Sequence, residues 1–93
     1  MINKFANIIG VSVDDLIGRS RKRSISEARQ LYWWMLFQTG MSCQEIAKVS
    51  NRDRTTIYPA IKKVDFLLRC EDRILVEMYN KVKKLNHDNS SRF

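Results

Sequence analysis

The sequence has few of the residues that a β-rich, disulfide-bonded or metal-bound small domain needs. Three glycines and one proline in 93 residues leave little material for the many tight turns of an all-β fold. Cys43 and Cys70 form no CxxC pair and His87 is the single histidine, so we expect no metal site and reduced, buried thiols. No apolar run approaches the roughly 20 residues of a membrane span, and no signal peptide opens the chain. A cytoplasmic protein without a cofactor or a membrane partner is expected.

Patterns typical of catalysis are also missing. The sequence contains no nucleophile–base set, no glycine-rich phosphate loop and no cluster of metal ligands. Its paired carboxylates, Asp14 with Asp15 and Glu71 with Asp72, fall at predicted helix starts, where helix capping explains them. We therefore expect neither an enzyme nor a small-molecule substrate.

What the sequence does have is an excess of positive charge. Seventeen Lys and Arg residues against ten acidic ones give a net charge of +7 at pH 7, which favours a polyanionic partner such as nucleic acid. Residues 19–23 read Arg-Ser-Arg-Lys-Arg, a basic loop without an apolar residue. Such a loop before a long helix is either a solvated charge run or an arm that enters a DNA minor groove.

Apolar residues make up 44% of the chain and recur at helical spacing. They predict an all-α domain of five or six helices. The predicted helical segments lie within residues 2–9, 12–18, 24–39, 42–49, 53–68 and 72–85. We expect residues 1–86 to form one DNA-binding domain and residues 87–93 to be a disordered polar tail.

Helix boundaries are indicated by glycines and by serine capping boxes. Gly10 and Gly40 stand where helices end. Ser12, Ser24 and Ser42 are each followed three residues later by an acidic residue, which predicts that each opens a helix.

Residues 42–56 have the spacing of a helix-turn-helix. A short helix from Ser42, a polar turn at residues 50–52 and a helix from Asp53 follow one another. In such a unit the second helix enters the major groove with its first residues against base edges. Arginine can pair with guanine, aspartate can accept from cytosine, and threonine can contact either bases or a thymine methyl. The alternative is an ordinary capped helix with Asp53 or Thr55 as the N-cap.

Trp33, Trp34 and Phe37 lie together on the longest predicted helix. Their spacing favours core packing over base stacking. Adjacent Trp33 and Trp34 cannot both point inward, so we expect one to be partly exposed or covered by the first or last helix. An exposed aromatic side chain here would favour a protein-docking module, a function of a different class.

The ordered motifs resemble the C-terminal DNA-binding domain of the bacterial chromosomal replication initiator DnaA. The resemblance covers nearly the whole chain, from about residue 2 to residue 85. The matching motifs are Val13-Asp-Asp-Leu16-Ile-Gly18, the basic loop at 19–24, Ala28-Arg29-Gln30, Gly-Met-Ser-x-x-Glu-Ile at 40–46, Arg-Asp-x-Thr-Thr at 52–56 and Ala60-Ile61-Lys62-Lys63.

This resemblance implies a Trp-repressor-like helix-turn-helix core. It also implies recognition by a monomer of a short, asymmetric double-stranded DNA site resembling the family's origin box. The recognition helix would read the major groove through Arg52, Asp53, Thr55 and Thr56. The basic loop would insert Arg21, helped by Arg23, into the minor groove. Gln30, Ser42 and Gln44 occupy positions that contact phosphates or bases in the family. The candidate DNA-binding residues are Arg19, Arg21, Lys22, Arg23, Gln30, Ser42, Gln44, Arg52, Asp53, Arg54, Thr55 and Thr56.

Three features depart from the family pattern. Arg54 stands where the family has a base-reading histidine, so a shifted preferred sequence is expected. Pro59 replaces a second histidine. Because proline removes a helix hydrogen bond and clashes with the carbonyl of Thr55, at roughly 3 kcal/mol in a regular interior, a late helix start or a kink is expected. The turn is one residue shorter than usual, with Ser50 and Asn51 replacing glycines.

Two further alternatives concern the biological setting. A helix-turn-helix transcriptional regulator would share the architecture, but it would usually dimerise on a palindrome. The ATPase module of the full initiator is absent, so helicase loading and origin melting are not expected of this chain. The start at Met1 and the end in Asn-Ser-Ser-Arg-Phe without a tag are expected of a free-standing DnaA-like protein, or of a fragment of a longer initiator from which a tag was trimmed.

Overall fold

The computed structural model describes residues 2–18 and 21–90, with side chains for residues 2–18 and 21–85. Within these residues the secondary structure is entirely helical. The helices are α1 (Ile2–Ile9), α2 (Val13–Ile17), α3 (Arg23–Gln38), α4 (Cys43–Ser50), α5 (Arg54–Arg69) and α6 (Arg73–Ser90). The prediction of an all-α fold of five or six helices is confirmed, with six helices in the described residues. Arg19 of the basic loop lies outside the described residues.

The core is centred on α3, which contacts each of the other five helices. Of these five helices, α5 packs most extensively against α3. The largest fully buried side chains are Phe5, Leu16, Leu31, Met35, Ile46, Ile57, Val64, Leu75 and Val82. They come from all six helices, and burying each contributes about 1.5–3 kcal/mol to folding. The helix-turn-helix of α4 and α5 therefore rests on a well-packed support.

The two tryptophans are both buried, and they lie against different parts of the fold. Trp34 packs edge-on against Tyr79 of α6, with 5.4 Å between ring centroids and an interplanar angle of 90°. Trp33 lies beneath Arg52 of the α4–α5 turn, 5.9 Å from guanidinium carbon to ring centroid. The expectation that the two cannot both point inward is wrong, because both belong to the buried core. Of the expected alternatives, cover by the last helix is the one that the structure confirms, for Trp34. Of the three aromatic side chains singled out from the sequence, Phe37 is the exposed one, at 41%.

Two of the three predicted capping boxes open helices, and one does not. Ser12 accepts from the amide of Asp15, and Ser42 forms a full capping box with Glu45. The box at Ser24 is wrong, because α3 begins one residue earlier, at Arg23. The carboxylate that would close that box, Glu27, instead accepts a 2.8 Å hydrogen bond from Arg23, and a charge-assisted bond is stronger than a bond to a neutral amide.

Several smaller expectations are corrected by the tertiary structure. Apolar spacing in residues 42–49 predicts that Ile46, Ala47 and Val49 all face inward, but Val49 is 66% exposed, because α4 turns only its Ile46 and Ala47 face to the core. Cys70 is exposed at the C-terminal cap of α5 and Cys43 is half-buried, so both thiols are free but neither is fully buried. The last helix continues to Ser90, beyond the predicted Leu85.

Pro59 does not delay the start of its helix. α5 begins at Arg54 and continues through Pro59 to Arg69. The proline is exposed, so its ring points away from the packed face formed by Ile57, Ala60 and Ile61. Since proline has no N–H, the carbonyl of Thr55 loses its regular helical donor, and the rest of the helix ladder is kept.

Candidate nucleic-acid interface

The turn between α4 and α5 is closed by a left-handed residue. Asn51 has φ 53°, and its amide donates to the carbonyl of Lys48 at 3.3 Å. The amide of Arg52 then donates to the carbonyl of Ala47 at 2.9 Å. Asparagine is among the few non-glycine residues that adopt this conformation readily. Asn51 therefore makes the sharp turn for which the family uses glycine.

The first turn of α5 is exposed on its outer side and anchored on its inner side. Asp53, Arg54, Thr55 and Thr56 are all exposed. The packed face carries Ile57, Ala60, Ile61 and Val64. Asp53 occupies the N-cap position, but its side chain makes no capping hydrogen bond. The carboxylate of Asp53 therefore does not cap α5, whereas the alternative of an ordinary helix capped by Asp53 requires that it does.

Arg52 differs from the four residues that follow it. Its side chain is half-buried, lies over Trp33 and donates a hydrogen bond to the carbonyl of Gly18. Gly18 is the C-terminal cap of α2, directly before the basic loop. Arg52 thus points back across the domain and links the helix-turn-helix to the first end of that loop.

Arg29 holds the same end of α2, and sequence reasoning did not include it among the site residues. It is 8% exposed, and it donates to the carbonyls of Leu16 at 2.8 Å and Asp15 at 2.9 Å. A cation at a helix C-terminus also matches the helix dipole. Burial, and next the repulsion from Arg52, lower the pKa of Arg29 below its ordinary value. The signal in the sequence was its position four residues after Ile25, on the buried face of α3.

The basic loop leaves α2 at Gly18 and enters α3 at Arg23. Arg21 and Lys22 are exposed. Arg23 is turned onto its own helix by the ion pair with Glu27, which raises the pKa of Arg23 by a hydrogen bond and by charge attraction. The two arginines predicted to enter the minor groove therefore differ in their surroundings. Arg21 is exposed at the loop, whereas Arg23 has a carboxylate partner.

A groove between α3 and α5 joins these parts. Gln30, half-buried on α3, lines it together with Thr56 and Lys63 of α5 and with Arg52. On the other side of Thr56, a second hollow is lined by residues that include Lys48 and Asp53. Lys48 and Lys63 were not among the candidate site residues. Their tertiary position beside the first turn of α5 makes them candidates for phosphate contacts.

The start of α4 borders the outer face of α5. Ser42 is exposed, and its hydroxyl accepts the amide of Glu45 at 3.2 Å while its own amide donates to the Glu45 carboxylate at 3.1 Å. Gln44 is exposed on the same helix start. The hydroxyl oxygen of Ser42 is thus used for capping, while its proton can still be donated to a ligand.

Comparison with known sequences identifies the family. The profile of the bacterial DnaA protein helix-turn-helix matches residues 1–64, which include α1 to α4 and most of α5. The chain belongs to this DnaA helix-turn-helix family. Membership supports DNA binding of the replication-initiator type, and the predicted helix-turn-helix core is confirmed.

Similar curated proteins are chromosomal replication initiator proteins DnaA. The chain is 36% identical to the DnaA protein of Clavibacter sepedonicus over 87 residues, which are 91% of the chain. It is 33% identical to the DnaA protein of Picosynechococcus over 84 residues, which are 88% of the chain. It is 30% identical to the DnaA protein of Kosmotoga olearia over 76 residues, which are 81% of the chain. The chain spans 17–19% of the length of these relatives. In the described part of the chain, no helix has the length and apolar character needed to cross a bilayer.

Proposed function

We propose that the chain binds a short, asymmetric duplex DNA site in a sequence-specific manner, as a monomer, in the way of an initiator binding its origin box. The observation that carries this proposal is the exposed first turn of α5, where Asp53, Arg54, Thr55 and Thr56 project from a helix packed on the core. A fixed helix with a polar outer end is what major-groove readout requires.

The base-reading part of the interface is the set Asp53, Arg54, Thr55 and Thr56. Aspartate accepts from the amino group of cytosine, arginine donates to guanine, and threonine contacts a base or a methyl group. Gln30, Ser42 and Gln44, with Lys48 and Lys63, surround this set with phosphate-binding groups. Phosphate contacts fix the orientation of the protein, and base contacts supply the specificity.

The minor-groove part is the basic loop, with Arg21 as the inserting side chain. Its first end is held by the bond from Arg52 to Gly18 and by the bonds from Arg29 to Asp15 and Leu16. We assign Arg52 a positioning role rather than a base-reading one, since it sets the loop relative to the recognition helix. The two grooves would then be read by elements of fixed relative position.

The protein-docking alternative is less well supported by the packing. Trp33 and Trp34 are 5% and 9% exposed, which leaves Phe37 as the accessible member of the three aromatic residues. No observation favours a regulator that dimerises on a palindrome over an initiator-type DNA-binding domain. Cytoplasmic location, a monomeric state and the absence of catalysis stay predictions.

The proposal is tested by measuring the affinity of the chain for duplex DNA across a series of salt concentrations. Each phosphate neutralised contributes about 0.9 to the slope of log affinity against log salt, so a slope of several units is expected. The double variant Lys48→Ala, Lys63→Ala should lower that slope by nearly two. The control Lys81→Ala, Lys84→Ala removes the same charge from α6 and should leave the slope nearly unchanged. Binding that is indifferent to salt would refute the proposal.

A further inference from the structure

Ser24 presents an exposed hydroxyl group directly after the basic loop. Arg21, Lys22 and Arg23 precede it in the chain, and all three are exposed. α3 begins at Arg23 without a side-chain cap, so the hydroxyl of Ser24 does not hold the start of the helix. Its expected capping-box partner, the carboxylate of Glu27, accepts from Arg23 instead. The hydroxyl is therefore accessible to a reagent from solution.

The surroundings of this hydroxyl restrict the kind of enzyme that can modify it. Three cations on the N-terminal side of a serine match, by charge complementarity, a substrate groove lined by carboxylates. Residues 21 and 22 lie outside any helix, and a helix end without a side-chain cap opens readily. The next serine, Ser26, is half-buried at the groove between α3 and α5 and is less accessible. The segment thus suits an enzyme that binds extended basic chain and acts on the serine after it.

We propose that Ser24 is a phosphorylation site, at which a serine kinase with an acidic substrate groove weakens the binding of the basic loop to DNA. The hydroxyl oxygen of Ser24 attacks the terminal phosphorus of a nucleoside triphosphate, and a carboxylate of the kinase takes the hydroxyl proton. The new O–P bond forms as the bond from that phosphorus to the bridging oxygen breaks, which releases the nucleoside diphosphate. This inference rests on the proposed function, because it concerns the loop that carries Arg21.

The phosphate changes the charge of the loop and leaves the fold of the domain in place. At pH 8 it carries close to two negative charges, since its second pKa is about 6. These charges stand beside Arg21 and Lys22 and offset roughly two of the cations proposed to contact DNA. An anion in the first turn of a helix is favoured by the helix dipole, so α3 should remain folded. The effect on binding is therefore electrostatic.

The test compares the unmodified chain with the same chain synthesised with Ser24 phosphorylated, on the duplex that the unmodified chain prefers. Offsetting two phosphate contacts should lower the slope of log affinity against log salt by about 1.8. The loss of affinity should then be about tenfold greater at roughly 50 mM salt than at roughly 200 mM. Arg21→Ala should cost less affinity in the phosphorylated chain than in the unmodified one, because the phosphate has already offset part of the loop charge.

The matched control is the chain synthesised with Ser12 phosphorylated. Ser12 is an exposed serine at the start of α2, and it receives the same charge away from the basic loop. Its phosphate should leave the salt slope nearly unchanged. The inference is overturned if phosphorylation of Ser24 does not lower the slope, or if both phosphates lower it equally. Both outcomes leave duplex binding by the unmodified chain intact, whereas failure of the proposed function would appear as an unmodified chain that binds no duplex.

A second measurement tests Ser24 as a kinase substrate. The chain is incubated with a magnesium nucleoside triphosphate and a serine kinase whose substrate groove is acidic, and tandem mass spectrometry locates the phosphate. We expect phosphate at Ser24, with slower incorporation in Arg21→Ala, because that variant removes a cation from the segment that the kinase binds. Phosphate at other serines alone, or no incorporation, would reject Ser24 as the modification site.

Discussion

The guanidinium of Arg52 and the backbone carbonyl of Gly18 are joined by a hydrogen bond that spans 34 residues of sequence. Arg52 belongs to the turn before the recognition helix, and Gly18 ends α2 directly before the basic loop. The two elements proposed to contact DNA are therefore tied to one another inside the domain. The indole of Trp33 beneath the guanidinium restricts its direction further.

The first prediction concerns this link. Arg52→Ala should weaken DNA binding without changing the preferred base at any position, because the side chain positions the loop and reads no base. Arg52→Lys should restore part of the affinity, since an ammonium group can also donate to the Gly18 carbonyl. Relaxed preference at a single base position in Arg52→Ala, measured by selection from a random pool, would instead assign Arg52 to base reading.

A double-mutant cycle measures the coupling directly. The loss of affinity caused by Arg21→Ala should be smaller in the Arg52→Ala background than in the wild type, because the loop is then no longer held. Equal losses in the two backgrounds would mean that the loop and the recognition helix act independently.

The second prediction concerns the stability contributed by Arg29. Arg29→Met keeps the aliphatic stem but removes the donors to the carbonyls of Leu16 and Asp15. The free energy of unfolding, measured by urea denaturation, should fall by about 1–3 kcal/mol. The control Arg73→Met removes an exposed arginine that is paired with Glu77, and it should leave the stability nearly unchanged. Equal effects of the two substitutions would show that the buried bonds are not stabilising.

The third prediction separates capping from DNA contact at Ser42. Ser42→Ala should lower the stability by about 1 kcal/mol through loss of the capping box, and it should also weaken DNA binding, because the hydroxyl proton is proposed to reach a phosphate. Ser12→Ala is the matched control, since Ser12 accepts from Asp15 in the same N-cap geometry on α2. It should lose similar stability and keep its affinity. If Ser42→Ala also keeps full affinity, Ser42 is a cap alone.

The fourth prediction concerns the minor groove. Arg21→Ala should weaken binding by about tenfold or more, with the largest effect on sites that have A·T-rich flanks, because a narrow A·T-rich minor groove attracts an inserted arginine most strongly. Arg23→Ala should have a smaller effect, since Arg23 is already paired with Glu27. Fluorescence anisotropy on two duplexes that differ only in their flanks measures both effects. Unchanged affinity in Arg21→Ala would remove the minor-groove arm.

The sequence was sufficient for most of the fold. Helical spacing predicted six helices, and Ser12 and Ser42 marked two helix starts, because such patterns depend on contacts between residues close in sequence. The predicted capping box at Ser24 was wrong because Arg23 binds the carboxylate of Glu27. A capping pattern takes no account of a competing side chain. The exposure of Val49 depended on how α4 is rotated against its neighbours, which a short helix indicates poorly.

The candidate site was predicted less completely than the fold. The sequence indicated the first turn of α5, since its position after a short helix and turn is a local pattern. It did not indicate that Arg52 turns back to Gly18, or that Lys48 and Lys63 flank Thr56. The bond from Arg52 to Gly18 joins parts of the chain 34 residues apart, about which local spacing carries no information. The hollows on the two sides of Thr56 form only when α5 packs against α3 and α4, so the positions of Lys48 and Lys63 beside them depend on tertiary packing.

The central claim is that the first turn of α5 reads the bases of a specific duplex, and one selection experiment tests it most directly. Wild type and Arg54→His are each used to enrich bound sequences from a random duplex pool. We expect one short, asymmetric sequence for the wild type. The variant should select a sequence that differs only at one or two adjacent positions, because the other base-reading side chains are unchanged. Failure to enrich any sequence, or identical sequences for the two proteins, would contradict the claim.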